Sequence, residues 1–405
     1  MSNSEKELAS ALASQAATPE IAQALCRLQG PVQICCDGHP LWRHAKEDAD
    51  AGADEVSIDA PESVWRESLG PAPRPGYQSI GALFRLCSDF KVRASTKAFM
   101  QALPTLELLI ERSRGFLHPR ANEPIQDDLD KLRGRFLRTR HGWLFTEESG
   151  APDGPVLCML HTAGADSRQW HGLMTHPAMQ DWRMVAFDMP NHGRSPVLDD
   201  TSQWHWQLSE ALYLDVVRGF LESVTDQPVV LMGCSMGAAI GLALLARYPH
   251  LCRAAILLET PYHSPGRRTP YLDHPQVHGG RLAATWVASL LSPASPVSRR
   301  NLARWVYSQS APGVYDGDLR FYSDEFRASA HTRHIDTTKT PLWLLTGDYD
   351  YSASPDETRK VAAEIPGATF IEMKGFGHFP MTEDPERLLS RHLNPVLRAL
   401  YDASK

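Results

Sequence analysis

The stretch from 228 to 245, PVVLMGCSMGAAIGLALL, decides the fold. Its apolar run at 229–232 predicts a short buried strand, and the small and apolar residues that follow Ser235 predict a helix. Between them, Gly-Cys-Ser-Met-Gly has the pattern G-x-S-x-G. So abrupt a turn holds its central residue in a strained conformation with the side chain exposed. Gly233 and Gly237 are needed because a Cβ there would collide with the neighbouring strand or helix. The stretch therefore predicts that Ser235 is a nucleophile.

A serine hydroxyl attacks well only when a base removes its proton, and that base must be oriented by an acid. The sequence offers both groups after later strands: Asp350 follows one apolar run and His378 follows the next. The interval between them accommodates one helix and one strand. Two other carboxylates are alternatives for the acid, namely Asp348 in the same loop and Glu259 at the end of an earlier apolar run.

Strand and helix patterns alternate through the last two thirds of the chain. Apolar runs at 156–160, 184–187 and 254–258 predict buried strands, and 204–224 has apolar residues on one helical face. An alternating pattern at 136–145 predicts a hairpin ahead of them. Strands that alternate with helices require parallel pairing and right-handed crossovers, so the sequence predicts an α/β sheet in three layers.

An insertion at about 261–338 interrupts this alternation. It is rich in Pro, His and aromatic residues, among them Trp286 and Trp305. Because it follows the sixth strand, it would lie over the carboxyl ends of the strands, where ligands bind in such sheets. We predict a helical cap that lines an apolar pocket, with most of its aromatic side chains packing the cap onto the sheet.

The N-terminal part has a different character. Residues 1–20 are rich in Ala, Ser and Glu and predict a disordered leader or a first helix. Between 21 and 117, short strands and a closing helix at 94–112 predict a small α+β domain without a catalytic constellation. The polar stretch 118–133 predicts a linker to a second domain over 134–405.

Composition excludes several classes of function. The net charge of −7 argues against nucleic acid or an anionic membrane as a partner, and no stretch is long and apolar enough to predict a membrane span. The seven cysteines are odd in number and form no C-x-x-C, so we expect reduced core residues. With no secretory signal in MSNSEKELAS, this favours a cytoplasmic protein.

Cofactor and metal motifs were sought as well. The sequence has no glycine-rich phosphate loop. The histidine pairs at 274/278 and 331/334 have helical metal spacing, but no cysteine or carboxylate set completes a zinc site. We therefore expect no metal and no cofactor.

Four motifs together make residues 136–402 resemble an α/β-hydrolase with a lid. They are G-C-S-M-G around Ser235, the G-x-x-D that ends at Asp350, G-H-F-P around His378, and D-M-P-N-H-G-R-S at 188–195. The resemblance implies that Ser235 is the nucleophile, His378 the general base and then acid, and Asp350 the orienting carboxylate. The fold it implies is a three-layer sandwich with a helical cap, preceded by the small α+β domain.

The same resemblance implies an oxyanion hole. The family's H-G-x-x motif reads His161-Thr162-Ala163-Gly164 in this chain, so a threonine replaces the first glycine. The expected donors are the backbone N–H groups of Met236 and Ala163, with Gly164 as the alternative to Ala163. The candidates for the substrate pocket are His161, Thr162, Gly164, Trp286 and Trp305.

Residues 30–115 resemble sterol-carrier-type (SCP2-like) domains. The resemblance is carried by the order of elements, with VSIDAPESVWRESLGPAPRPGYQSI ahead of a strand and a closing helix. It implies an apolar ligand cavity. A packing or dimerising appendage is the alternative.

The serine at the turn indicates acyl chemistry, because haloalkane and epoxide hydrolases of this fold use an aspartate there. We expect a serine hydrolase that cleaves an ester, lactone or similar acyl bond of a small or medium apolar substrate. The alternatives are hydrolysis of a carbon–carbon bond next to a ketone, acyl transfer to a thiol or alcohol, and a non-catalytic ligand receptor or lipid sensor. A homodimer is compatible with the sequence.

Overall fold

The structure, a computed structural model, describes residues 2–45, 54–114, 123–198 and 205–403. Two predicted features fall partly outside these ranges. They are residues 118–122 of the linker at 118–133, and Trp204 at the start of the helical pattern.

The described residues contain two sheets, of four and eight strands. The strands are β1 Val32–Cys36, β2 His39–His44, β3 Val56–Ala60, β4 Lys91–Arg93, β5 Arg133–Thr139, β6 Gly142–Gly150, β7 Val156–Leu160, β8 Arg183–Phe187, β9 Val229–Cys234, β10 Cys252–Leu258, β11 Leu342–Gly347 and β12 Thr369–Met373. The helices are α1 Asn3–Ala16, α2 Pro19–Cys26, α3 Glu62–Leu69, α4 Ile80–Leu86, α5 Thr96–Ser113, α6 His171–Met174, α7 Glu210–Val224, α8 Met236–Arg247, α9 Gly279–Ala288, α10 Val297–Ser308, α11 Val314–Leu319, α12 Pro355–Glu364, α13 Pro380–Glu383, α14 Pro385–Leu388 and α15 Asn394–Asp402.

The larger sheet has the order β12-β11-β10-β9-β7-β8-β6-β5. Strands β7 to β12 pair in parallel, whereas the β5–β6 hairpin joins the sheet antiparallel through β8. Every residue of β9 is buried, as is most of β10 and β11, because helices cover both faces of a parallel sheet. The predicted α/β sandwich is confirmed, and its central strands all end at the same edge.

The smaller sheet belongs to the N-terminal part and has the order β2-β1-β3-β4. Strand β1 pairs in parallel with β3 and antiparallel with β2. Helix α5 covers the sheet with a buried stripe that includes Phe99, Leu103 and Leu106. Neither β2 nor α4 was predicted from the sequence, since β2 is exposed in part and α4 is a single short run after three prolines.

Helices α9 to α11 lie in the segment between β10 and β11, and the N-terminal part packs against this segment. Glu111 of α5 forms ion pairs with Arg300, at 2.8 Å, and with Arg304. Burial raises the pKa of Glu111, but the two guanidinium groups outweigh it and hold the pKa at about 2. Further along, the Gln78 amide donates to the backbone carbonyl oxygen of Tyr349 at 3.1 Å. The N-terminal part therefore contacts both the helical segment and the loop that follows β11.

The cysteines are free thiols. Five are buried, but Cys26 is exposed and Cys87 is half-buried, so the expectation of core cysteines is wrong for these two. Both lie near helix ends, where one side of the residue faces away from the core. Among the described residues, no helix combines the length and the apolar character that a membrane crossing requires.

Candidate active site

The turn between β9 and α8 holds Ser235 at φ +55° and ψ −112°, a region that side-chain-bearing residues rarely adopt. A Cβ at Gly233 would lie 2.3 Å from the carbonyl oxygen of Gly237, and a Cβ at Gly237 would lie 2.4 Å from that of Leu160. Both distances are shorter than any real contact. The two glycines are therefore required by close backbone approach, which lets the serine side chain stand at the end of the strand.

The serine hydroxyl lies next to the two groups that the sequence suggested. Ser235 Oγ is 2.7 Å from His378 Nε2, and His378 Nδ1 is 2.6 Å from Asp350 Oδ2. The carboxylate favours the tautomer in which Nδ1 carries the proton, so Nε2 accepts from the serine hydroxyl. Each of the three residues keeps only 3% of its surface exposed.

Backbone groups hold Asp350 in place. Its Oδ1 accepts hydrogen bonds from the N–H groups of Ser352, at 2.7 Å, and Ala353, at 3.2 Å. Burial raises the pKa of this carboxyl, but His378 and the hydrogen bonds outweigh it and hold the pKa below its usual range. The alternative acid Asp348 instead accepts from the N–H of Gly375 at 2.7 Å. Of these two aspartates, Asp350 is therefore the one that contacts the histidine.

The other alternative acid, Glu259, lies directly behind Asp350. It is completely buried, has φ +52°, and both carboxyl oxygens accept from the N–H of Gly347, at 3.0 and 3.1 Å. Burial, and then the charge of Asp350, raise the pKa of Glu259 well above its usual range. The raised pKa favours a protonated Glu259, which can donate a hydrogen bond to Asp350.

A buried glutamate that was not singled out from the sequence, Glu383, fixes the loop around His378. Its carboxylate accepts from the N–H groups of Gly377, at 3.1 Å, and Phe379, at 3.0 Å. It also accepts from Ser292 N–H at 3.0 Å and from the Ser295 hydroxyl at 2.8 Å. Four donors on one carboxylate tie the histidine loop to the segment between β10 and β11.

The loop after β7 lies beside the nucleophile. In the described part of the chain, neither the N–H of Ala163 nor that of Met236, the first residue of α8, has a hydrogen-bond acceptor. The N–H of Gly164, in contrast, donates to Asp318 Oδ2 at 2.7 Å. The two amides expected to form the oxyanion hole are thus available, and the alternative at Gly164 is occupied.

Asp318, on α11, is the centre of a fully buried polar cluster that was not predicted. Besides Gly164, it binds His192 Nε2 at 2.7 Å through the same oxygen, and its Oδ1 accepts from Trp206 Nε1 at 2.7 Å. Burial lowers the pKa of His192, but Asp318 outweighs this and raises it. The cluster therefore joins the helical segment to the loop after β7 through the Gly164 N–H and to the loop after β8 through a buried ion pair with His192.

Two of the predicted pocket residues, His161 and Thr162, have their side chains engaged in hydrogen bonds. His161 Nδ1 donates to the carbonyl of Thr162 at 2.8 Å and its Nε2 accepts from Met189 N–H at 3.1 Å, so both nitrogens are engaged. The Thr162 hydroxyl donates to Gln169 Oε1 at 2.9 Å. Both residues stiffen the loop.

The two tryptophans differ in exposure. Trp305 is 48% exposed, with the Arg168 guanidinium 4.7 Å from its ring centroid, so it lies on the surface away from Ser235. Trp286 is half-buried, and its Nε1 has no hydrogen-bond partner among the described residues. Gly164 is covered by a tyrosine ring, since a Cβ there would lie 2.6 Å from Tyr315 Cδ2.

Tyr322 is a further neighbour of the nucleophile. It is buried in a π-helical turn, Arg320–Glu325, and its hydroxyl lies beside Ser235 and forms a hydrogen bond, at 3.5 Å, with Ser352 Oγ. The sequence contained it only as one of several aromatic residues of the insertion. A π-helical turn is common at functional sites, but it has no sequence pattern by which it could be recognised.

The similarity to known proteins lies in the part of the chain that contains most of the larger sheet. A family model described as alpha/beta hydrolase fold matches residues 155–385. The chain is 35% identical over 254 residues to the pyrrolizixenacetamide deacetylase of Xenorhabdus hominickii, covering 58% of this chain and 88% of that protein. Among solved structures, the enol-lactonase from Burkholderia xenovorans LB400 has a TM-score of 0.57 at 18% identity, over 65% of this chain and 100% of that one. A putative aryl esterase from Burkholderia cenocepacia has a TM-score of 0.56 at 18% identity, over 66% and 99%.

Proposed function

Because the chain belongs to the alpha/beta hydrolase fold family and is a hydrolase, we propose that it cleaves acyl bonds through a covalent acyl-enzyme formed on Ser235. The substrate is a small molecule with an ester, lactone or related acyl group. The observation that carries the proposal is the continuous hydrogen-bonded chain from Ser235 Oγ through His378 to Asp350, at 2.7 and 2.6 Å.

In the proposed reaction, His378 Nε2 takes the proton of Ser235 as Oγ attacks the carbonyl carbon. The developing oxyanion accepts hydrogen bonds from the N–H groups of Met236 and Ala163, which have no other acceptor in the described chain. The imidazolium is stabilised by Asp350 and then protonates the leaving group. Water, activated by the same imidazole, hydrolyses the acyl-enzyme and restores Ser235.

The relationship to the deacetylase supports acyl chemistry, since that relative is 35% identical and is named for the removal of an acetyl group. A serine nucleophile also suits this chemistry. An acyl-serine is opened by water at its carbonyl carbon, and the two amides then stabilise the second oxyanion as well as the first.

The proposal includes a cap formed by about 261–338. Its support is the contact that Tyr322 makes with Ser235 and the bonds that Asp318 and Ser292 make to the two catalytic loops. A side chain that reaches the nucleophile from this segment limits the space open to substrate and to water.

The N-terminal unit, 21–117, is proposed to be a domain of its own, and its likeness to sterol-carrier-type domains is part of the proposal. Its centre is occupied by side chains such as Trp65 and Phe99, both almost fully buried. A lipid would have to displace them. Binding of a fluorescent fatty acid to the full chain tests the likeness, and no binding would leave only a packing role.

The test of the proposed function is labelling with a fluorophosphonate, read by intact mass. We expect one adduct on the wild-type chain, none on Ser235→Ala, and one on Ser352→Ala, a matched control whose hydroxyl is also buried near Tyr322. Hydrolysis of p-nitrophenyl acetate should follow the same order. A wild-type chain without an adduct, or an adduct that persists in Ser235→Ala, would refute the proposal.

A further inference from the structure

Arg267, a partly buried arginine in the segment after β10, has no carboxylate partner within the part of the chain that the structure describes. Most partly buried arginines of this chain are paired: Arg194 with Glu147 and Arg299 with Asp127, for example. The neighbouring Arg268 pairs with two aspartates. Among the described residues, Arg267 forms no ion pair, and its guanidinium contacts only the hydroxyl of Tyr315, at 3.5 Å.

The tyrosines around Arg267 are the ones that surround the nucleophile. Tyr315 lies on Gly164, beside the amide expected to hold the oxyanion, and the hydroxyl of Tyr322 lies beside Ser235. The backbone of Arg267 is tied to the same place, since its N–H donates to Ser323 Oγ at 3.1 Å. Arg267 is thus tied through Ser323 and Tyr315 to the part of the chain that lies beside Ser235.

A second arginine reaches this place from the N-terminal part. Arg85 of α4 donates to the carbonyl oxygens of Pro265, at 3.2 Å, and Gly266, at 3.5 Å, directly before Arg267. It too forms no ion pair in the part of the chain that the structure describes. These two contacts place Arg85 against the backbone that leads into Arg267, and burial and the like charge of Arg267 lower the pKa of Arg85.

Two neighbouring guanidinium groups repel each other, and an anion bound between them removes this repulsion. A guanidinium also presents two parallel donors that match a carboxylate. Tyrosine hydroxyls nearby add neutral donors. The arrangement is therefore suited to a ligand that carries a negative charge at some distance from the bond that Ser235 would attack.

We propose that Arg267 and Arg85 form a carboxylate-binding subsite of the pocket in front of Ser235, so that the substrate is an acyl compound with a second, free carboxylate. This inference rests on the proposed acyl hydrolysis. It replaces the apolar substrate expected from the sequence with one that carries a negative charge. It also gives the N-terminal part a direct role in substrate binding, since Arg85 belongs to α4.

The kinetic test uses matched p-nitrophenyl half-esters of succinate, glutarate and adipate against the corresponding methyl diesters, with the full chain. Wild type should favour at least one half-ester over its methyl diester in kcat/KM by about 10- to 100-fold, the range of one charge-assisted hydrogen bond. Arg267→Met should remove this preference while changing kcat/KM for the neutral esters less than about threefold. Arg267→Lys should keep part of it, and Arg85→Met should reduce it.

Arg268→Met is the matched control, because Arg268 is adjacent in sequence but already paired with Asp316 and Asp324. It should leave the preference unchanged. Equal values of kcat/KM for half-esters and diesters in wild type, or a preference that survives in Arg267→Met, would overturn the subsite.

A binding measurement separates the subsite from the proposed function. Titration of glutarate into Ser235→Ala by calorimetry should show binding that weakens at least tenfold in Ser235→Ala/Arg267→Met. Such binding would support the subsite even if the wild-type serine were unreactive and the hydrolase proposal failed. Glutarate binding that is equal in both variants would overturn the subsite even if esters were hydrolysed.

Discussion

The turn that carries Ser235 and the segment that covers it are held by different forces. At the turn, backbone atoms approach so closely that only glycine fits at 233 and 237, and no charged group takes part. In the covering segment, buried carboxyl groups make the connections: Asp318 binds the loop after β7, and Glu383, on α13, binds both Ser292 of the segment and the histidine loop. One region is specified by local sterics and the other by long-range electrostatics.

The difference bears on how each region tolerates change. At a position where only glycine fits, adding a single Cβ disrupts the structure. At a buried carboxylate, removing the charge disrupts the structure even when the shape of the side chain is kept. Substitutions that alter only shape or only charge therefore distinguish the two regions. The four predictions below apply this test, beginning with the largest expected effect.

The largest effect on kcat is expected when the charge of Asp350 is removed from the hydrogen-bonded chain that joins it to His378 and Ser235. Asp350→Asn keeps the shape but presents an amide to His378 Nδ1, which favours the wrong tautomer and should lower kcat by roughly 10⁴-fold, as in serine proteases with this arrangement. Asp348→Asn, two residues earlier, should change kcat less than about threefold. Esterase assays on both variants test this, and the reverse order would assign the acid to Asp348.

The next effect is steric. Gly237→Ala places a Cβ 2.4 Å from the carbonyl oxygen of Leu160, so the turn must shift, and a displacement of about 1 Å costs about a hundredfold in kcat/KM. Gly38→Ala is the control, because its φ of +82° strains an alanine but nothing lies within 4 Å. The control should lose about 1–2 kcal/mol of unfolding free energy and no activity. Equal activity in both variants would contradict the steric account.

In the covering segment, the expected effect is on stability and not on the rate of the reaction. Asp318→Asn leaves His192 and the N–H of Gly164 without the charged acceptor, and breaking a buried pair costs about 3–5 kcal/mol. Asp316→Asn, on the same helix, breaks a partly exposed pair with Arg268 and should cost less than about 1 kcal/mol. Urea unfolding measures both. Similar losses would mean that the cluster is not a buried electrostatic link.

The same contrast explains what the sequence could and could not predict. The strand–turn–helix around Ser235 follows a local rule, and Asp350 and His378 could be singled out because each directly follows a predicted strand. The parallel sheet was predicted for a similar reason, from the alternation of strands and helices. The catalytic roles of these residues remain predictions until the labelling experiment is done.

The residues that were missed share the opposite property. Asp318, Glu383 and Tyr322 contact residues far away in the chain, and nothing next to them in sequence indicates the contact. Arg267 is missed for a related reason, since its significance is the lack of a carboxylate among neighbours that come from three different segments. Trp305, which the sequence suggested as a pocket residue, is 48% exposed, and the sequence has no local signal for this exposure.

The smallest effect on catalysis is expected at Glu259. Burial and Asp350 raise the pKa of its carboxyl in the folded chain well above the ordinary value of 4.5, near which it ionises in the unfolded chain. Above that pH the folded state binds one more proton than the unfolded state, so wild-type stability falls as pH rises toward the raised pKa. Glu259→Gln cannot ionise, yet its amide still donates to Asp350 and accepts from Gly347.

The variant should therefore become more stable relative to wild type as pH rises from 5 to 8, by up to about 1.4 kcal/mol per pH unit for one proton. Its kcat should stay within about threefold. Urea unfolding at several pH values measures the slope, and Glu20→Gln, at an exposed ion pair, serves as the control with no expected change. An unchanged slope in Glu259→Gln would mean that Glu259 is ionised beside Asp350. The strand end next to the turn would then depend on charge, as the covering segment does, and not on sterics alone.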